Sequence, residues 1–118
     1  MKQYIPKVTE QDVIRISKRE FPDDDNDSIM ELLNQYSSKK LQRGYHRVRV
    51  AALKNANGNI DELRIQIDRA QADYRHVIAP AEYPLYLKKL HHIDKLSEQE
   101  QEAIINQDWK QYQEWFNK

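Results

Sequence analysis

Asp73 and His76 stand three residues apart in a stretch whose apolar residues recur at helical spacing, so a carboxylate and an imidazole share one helix face. That arrangement can orient an imidazole for proton abstraction or for a metal. Glu82 and Tyr83 follow in Ala79-Pro80-Ala81-Glu82-Tyr83-Pro84, where the prolines predict a rigid non-helical bend able to present both side chains to a ligand. A pocket joining Asp73, His76, Glu82 and Tyr83 is the one enzymatic constellation the chain offers. The same residues suit plainer roles. Arg69, Asp73 and His76 form a solvent-facing ladder, and Tyr83 packs as an aromatic corner. No nucleophile lies within local reach, so no catalytic residue is assigned and an enzyme ranks third among the functional readings.

Metal chemistry is weakly provided for. His91 and His92 with Asp94 are two imidazoles and a carboxylate, but adjacent residues point apart on a helix. The acidic run Asp23, Asp24, Asp25 and Asp27 lacks the central glycine and distal glutamate of a calcium loop. Ser28 with Glu31 immediately downstream predicts a capping box instead, beside which carboxylates are stable without a ligand. Cysteine is absent, which removes thiolate sites and disulfides. No metal and no cofactor are expected.

From Lys39 to Lys54 every charged side chain is positive. Cations in a helix's first turn oppose its dipole by about 0.3–1 kcal/mol each, so intrinsic helix stability does not explain them. Lys40, Arg43, Arg47 and Lys54 project opposite the apolar stripe as a basic ridge, with Tyr45 and His46 nearby. The functional reading is contact with a nucleic-acid backbone. The competing reading pairs the ridge with the Asp23 to Asp27 run of the same molecule, and this is preferred because 19 basic side chains balance 19 acidic ones. Nucleic-acid binding is therefore the second functional reading.

The elements that position these residues are helices. Ile60, Leu63, Ile67, Ala70, Tyr74 and Val77 form one apolar stripe, opened by Asn59 as N-cap with Glu62 at N3 and ended at Ala79-Pro80. Gly58 can take the left-handed conformation that closes the preceding helix, which carries Leu41, Gly44, Tyr45, Val48, Ala51, Ala52 and Ala56 on one side. Two helices joined there should run antiparallel. Val50 and Leu53 fall off the first stripe, which predicts a second covered side, by another segment or by another subunit. Thr9 predicts an N-cap for a short first helix packing by Val13, by Ile16 or Ile14, and by Phe21. Ser97 with Glu100 predicts a capping box, and Asp108 a cap for a last helix whose Trp109, Tyr112 and Phe116 seal the core.

With 118 residues, 39% of them apolar and 32% charged, and only two glycines, the expected architecture is all-α. We expect one domain, 1–118, of five to six amphipathic helices around a long αα-hairpin at about 39–79. Neither a signal sequence nor an apolar run near the roughly 18 residues of a membrane span is read, so a soluble cytoplasmic protein without membrane partners is expected.

Arg47-Val48-Arg49-Val50-Ala51-Ala52-Leu53-Lys54, then Asn57-Gly58-Asn59, then Asp73-Tyr74-Arg75-His76-Val77, then Ala81-Glu82-Tyr83-Pro84 resemble a group of small uncharacterised bacterial helical proteins. These share R-V-x-x-A-x-L-K, D-Y-R-x-V and A-E-Y-P in that order. The likeness covers about residues 41–86, with a weaker echo in Asp108-Trp109 to Trp115-Phe116. It implies a bacterial source and a helical fold, and it transfers no functional residue. The first functional reading is a non-enzymatic protein-interaction or regulatory module, its partner a protein, self or other, with self-association through Val50 and Leu53.

Overall fold

A computed structural model of the chain describes residues 4–36 and 44–118. Among these residues the fold is all-helical. The elements are α1 (Glu10–Glu20), α2 (Asn26–Asn34), α3 (Tyr45–Ala56), α4 (Ile60–Ala72), α5 (Arg75–Glu82), α6 (Pro84–Lys88), a 3-10 helix (Leu90–Lys95) and α7 (Glu98–Phe116). Among the described residues eight helical elements stand in place of the five to six expected, and one of the anticipated rods is divided.

The first difference is the division at Asp73. Its backbone is extended (φ −159, ψ 108), which ends α4, while its carboxylate accepts from the Arg75 amide at 3.1 Å and from the Arg75 guanidinium at 2.9 and 3.0 Å. One side chain closes a helix and opens the next. The expected run to Ala79 is therefore two helices. The second difference concerns Pro80, which lies inside α5 rather than in a bend. A helical proline removes only its own amide bond to the carbonyl four residues back, here His76, and both residues are exposed, so water can satisfy that carbonyl. The break is confined to Tyr83 (φ −138, ψ 61), after which Pro84 starts α6 at the position where its missing N–H costs nothing.

Helix ends follow local chemistry elsewhere. Thr9 and Asp12 form a reciprocal box at α1, with Thr9 Oγ1 accepting from the Asp12 amide at 3.2 Å and Asp12 Oδ2 from the Thr9 amide at 3.0 Å. Ser97 and Glu100 do the same at α7. Asn59 caps α4 through the Glu62 amide at 2.9 Å, but Glu62 turns away to accept from Gln66. The Ser28–Glu31 box does not form. Helix α2 starts three residues earlier, and Ser28 donates to its N-cap Asp25 instead. Asn57 (φ 49) and Gly58 (φ 77) both take the left-handed conformation between α3 and α4.

Helix α3 is the centre of the core. Val48 through Leu53 and Ala56 are all buried, and α3 packs against α4, α5 and α1. Val50 and Leu53 are completely inaccessible, so their covering comes from within the chain, and the expected self-association through them is corrected: neither side chain has surface to offer a second subunit. Val13, Ile16 and Phe21 from α1, Ile29 and Leu33 from α2, and Leu63 and Ile67 from α4 complete the core, with Tyr112 from α7.

Helix α7 is continuous for 19 residues, so Asp108 does not cap a last helix of its own. It caps α6 from a distance. Asp108 Oδ1 accepts from the Leu85 amide and Oδ2 from the Tyr86 amide, both at 3.0 Å. At its other end α7 has no cation in its last turn, and α1 supplies two: Arg15 and Arg19 donate to the Phe116 carbonyl at 3.0 and 3.3 Å.

Candidate functional site

The described members of the basic ridge are engaged within the fold. Arg47 Nε and Nη2 each donate to one Glu82 oxygen at 2.7 Å, a two-pronged pair in which Glu82 is nearly buried. The Glu82 carboxylate raises the guanidinium's pKa against the effect of burial. The Lys54 ammonium lies 5.8 Å from the Trp115 ring centre, where burial lowers its pKa and the Asp108 charge partly restores it. Lys40 and Arg43 lie outside the described residues. Asp23, Asp24, Asp25 and Asp27 are exposed and make no ion pair among the described residues, so Arg47 is neutralised by Glu82 and not by that run.

The enzymatic constellation divides into two separate pairings. Asp73 holds Arg75, whose hydrogen bonds push the Asp73 carboxyl down to about 2, and His76 Nε2 stands 3.9 Å from the same carboxylate. Glu82 is committed to Arg47, and Tyr83 is exposed with its ring against Tyr86. His76 is the second residue of α5 and Glu82 its last, about 9 Å apart along its axis. His91 and His92 are exposed on the 3-10 helix, and among the described residues no three His, Cys, Asp or Glu side chains group as a metal site.

A third charged group is Arg49. Its guanidinium is buried against the Tyr45 ring, 4.1 Å from the ring centre, donating to Asn34 Oδ1 at 2.7 Å and facing His46 Nδ1 at 2.7 Å. Burial and the Arg49 charge lower the His46 pKa. This is a structural role: α2 has no basic residue in its last turn, and Arg49 places its cation at that C-terminus, on Asn34.

What the fold leaves open is the face of α6 and the 3-10 helix. Three of the five large apolar side chains exposed among the described residues fall within eight positions: Tyr83 at 37%, Leu87 at 41% and Leu90 at 47%. The Leu87 amide bonds the Tyr83 carbonyl at 3.0 Å, which sets the two one helical turn apart on one side, and Leu90 continues the stripe. The segment is anchored at its ends. Ile93 is buried, Asp108 holds the start of α6, and Gln101 donates to the Ile93 and Leu96 carbonyls at 2.9 and 3.1 Å. Gln111 adds bonds to the Ala81 and Glu82 carbonyls. The exposed stripe is thus carried on a backbone fastened to α7 from both ends.

Compared with protein-family models, with curated proteins and with solved structures, the chain matches none. The candidate site therefore rests on geometry. Sequence reading passes over this face. The signal was present in the spacing of Tyr83, Leu87 and Leu90 at i, i+4 and i+7, distinct from the buried Ile93. What hid it was Asp108: without the cap it supplies, a five-residue helix has little reason to form.

Proposed function

We propose that this chain is a non-enzymatic protein-interaction module, acting in the cytoplasm, that docks a partner through the Tyr83–Leu87–Leu90 stripe. The α3–α4 pair serves as a helical hairpin scaffold, and α7 presents the stripe. The observation that carries the reading is the clustering of exposed apolar side chains on one anchored helical face. Scattered exposed apolar residues are ordinary, whereas a contiguous set on a rigid support is the usual form of a docking site. No helix among the described residues is long and apolar enough to cross a membrane.

Under this reading the residues that carry the resemblance, Tyr83 excepted, belong to the scaffold. Arg47 pairs with Glu82, and Asp73 pairs with Arg75. The test is a photo-crosslinking amino acid at position 87 in cells of the source organism, with position 68 on the exposed side of α4 as control. A discrete protein adduct at 87 and not at 68 is expected. Absence of adducts at 83, 87 and 90 alike would remove the reading.

A further inference from the structure

The geometry points to an acidic amphipathic helix as the occupant of the Tyr83–Leu87–Leu90 face, an inference that rests on the docking reading and adds the partner's chemistry. From Tyr83 to Lys95 the chain carries Lys88, Lys89 and Lys95 against the single Asp94, with His91 and His92 between them. All of these are exposed, and none of the three lysines makes an ion pair among the described residues. Several cations elsewhere are matched, Arg47 with Glu82, Arg64 with Asp61 and Arg75 with Asp73, whereas this segment gathers three that are not. An apolar stripe fringed by uncompensated lysines is complementary to a surface that alternates apolar and acidic side chains.

The shape favours a helix. Tyr83 to Leu90 is a ridge about 10 Å long, matching two turns of a partner whose apolar residues repeat every three or four positions. The described residues hold no sheet edge to which a strand could add. A membrane surface fits less well, since the segment exposes three large apolar side chains, Tyr83, Leu87 and Leu90, too few for the long apolar face of an interfacial helix.

The experiment uses the whole chain and labelled helical peptides of about four turns, with one leucine spacing and glutamate, glutamine or lysine at the remaining positions. Vesicles of phosphatidylglycerol are titrated in parallel. The glutamate peptide should bind about tenfold more tightly than the glutamine peptide. That advantage should vanish near about 0.5 M salt. Replacing the three lysines together, Lys88→Glu, Lys89→Glu and Lys95→Glu, should transfer the preference to the lysine peptide. Leu87→Glu, at an exposed position and checked for unchanged helicity, should abolish binding of all three.

Equal binding of the glutamate and glutamine peptides, still lost in Leu87→Glu, overturns the acidic partner while leaving the docking face in place. Peptide binding indifferent to Leu87→Glu, or none at all, overturns the docking reading itself. Vesicle binding without peptide binding makes the occupant a lipid surface, and Leu87-dependent self-association without peptide binding makes it a second copy; either result overturns the inference.

Discussion

Arg47 and Glu82 meet through two 2.7 Å hydrogen bonds across 35 residues of chain, joining the first turn of α3 to the last residue of α5. Glu82 is almost fully desolvated while Arg47 keeps partial access to water. Removing the arginine's partner leaves a half-buried cation, and removing the arginine strands a buried carboxylate. Glu82→Ala should therefore cost roughly 2–4 kcal/mol in urea unfolding. The double variant Arg47→Met, Glu82→Leu should recover most of that loss, because no unpaired charge remains. A single-variant cost below about 0.5 kcal/mol would class the pair with ordinary surface bridges.

Asp108 gives a prediction that separates capping from packing. Its two oxygens satisfy the Leu85 and Tyr86 amides, which a five-residue helix cannot satisfy internally. Asp108→Ala should lose about 1–2 kcal/mol. Exchange of those two amides should quicken more than that of amides in α3. Uniform acceleration across the protein would show that the carboxylate acts on global stability alone.

The parts of the fold legible in the sequence are those whose cause is local. Thr9 with Asp12 and Ser97 with Glu100 lie three residues apart, and so do the bonds they make. The apolar stripe of α4 appears as written because Leu63, Ile67 and Ala70 need only a neighbour, whichever it is. The misreadings involve partners far away in the chain. Arg47 looks like an exposed cation until Glu82 is brought to it, and Asp108 looks like a cap for its own helix although the amides it serves lie 22 and 23 residues earlier. Val50 and Leu53 invite a second subunit only while the packing of α5 and α1 on α3 is unknown.

His46 makes stability depend on pH. Burial foremost, then the Arg49 charge, lowers its pKa from an unfolded value of about 6.5, with Glu10 opposing weakly. Between the folded value and 6.5 the unfolded chain binds more protons, so stability falls as pH falls through that window and is fully present above it. Protonation would also turn the Nδ1 that faces Arg49 into a donor. The wild type should lose more stability than His46→Gln between pH 7.5 and a value near 5.5, the other three histidines being common to both. Parallel profiles, or an NMR titration of His46 above about 6.5, would sink the assignment.

Tyr112 sets ring packing against a hydroxyl with nothing to bond. Its ring centre lies 6.2 Å from Trp109 and 5.8 Å from Phe116, while Oη is buried without a hydrogen-bond partner among the described residues. Burial pushes the phenol's pKa up, so the group stays protonated and neutral. Tyr112→Phe keeps the ring contacts and removes a desolvated donor, so stability should hold or rise by up to about 1 kcal/mol. Tyr112→Ala, which empties the space between α7 and the core, should cost about 3–5 kcal/mol. If the phenylalanine variant loses more than about 1 kcal/mol in the same urea series, the hydroxyl is bonded in solution and the packing account of α7 must include that bond.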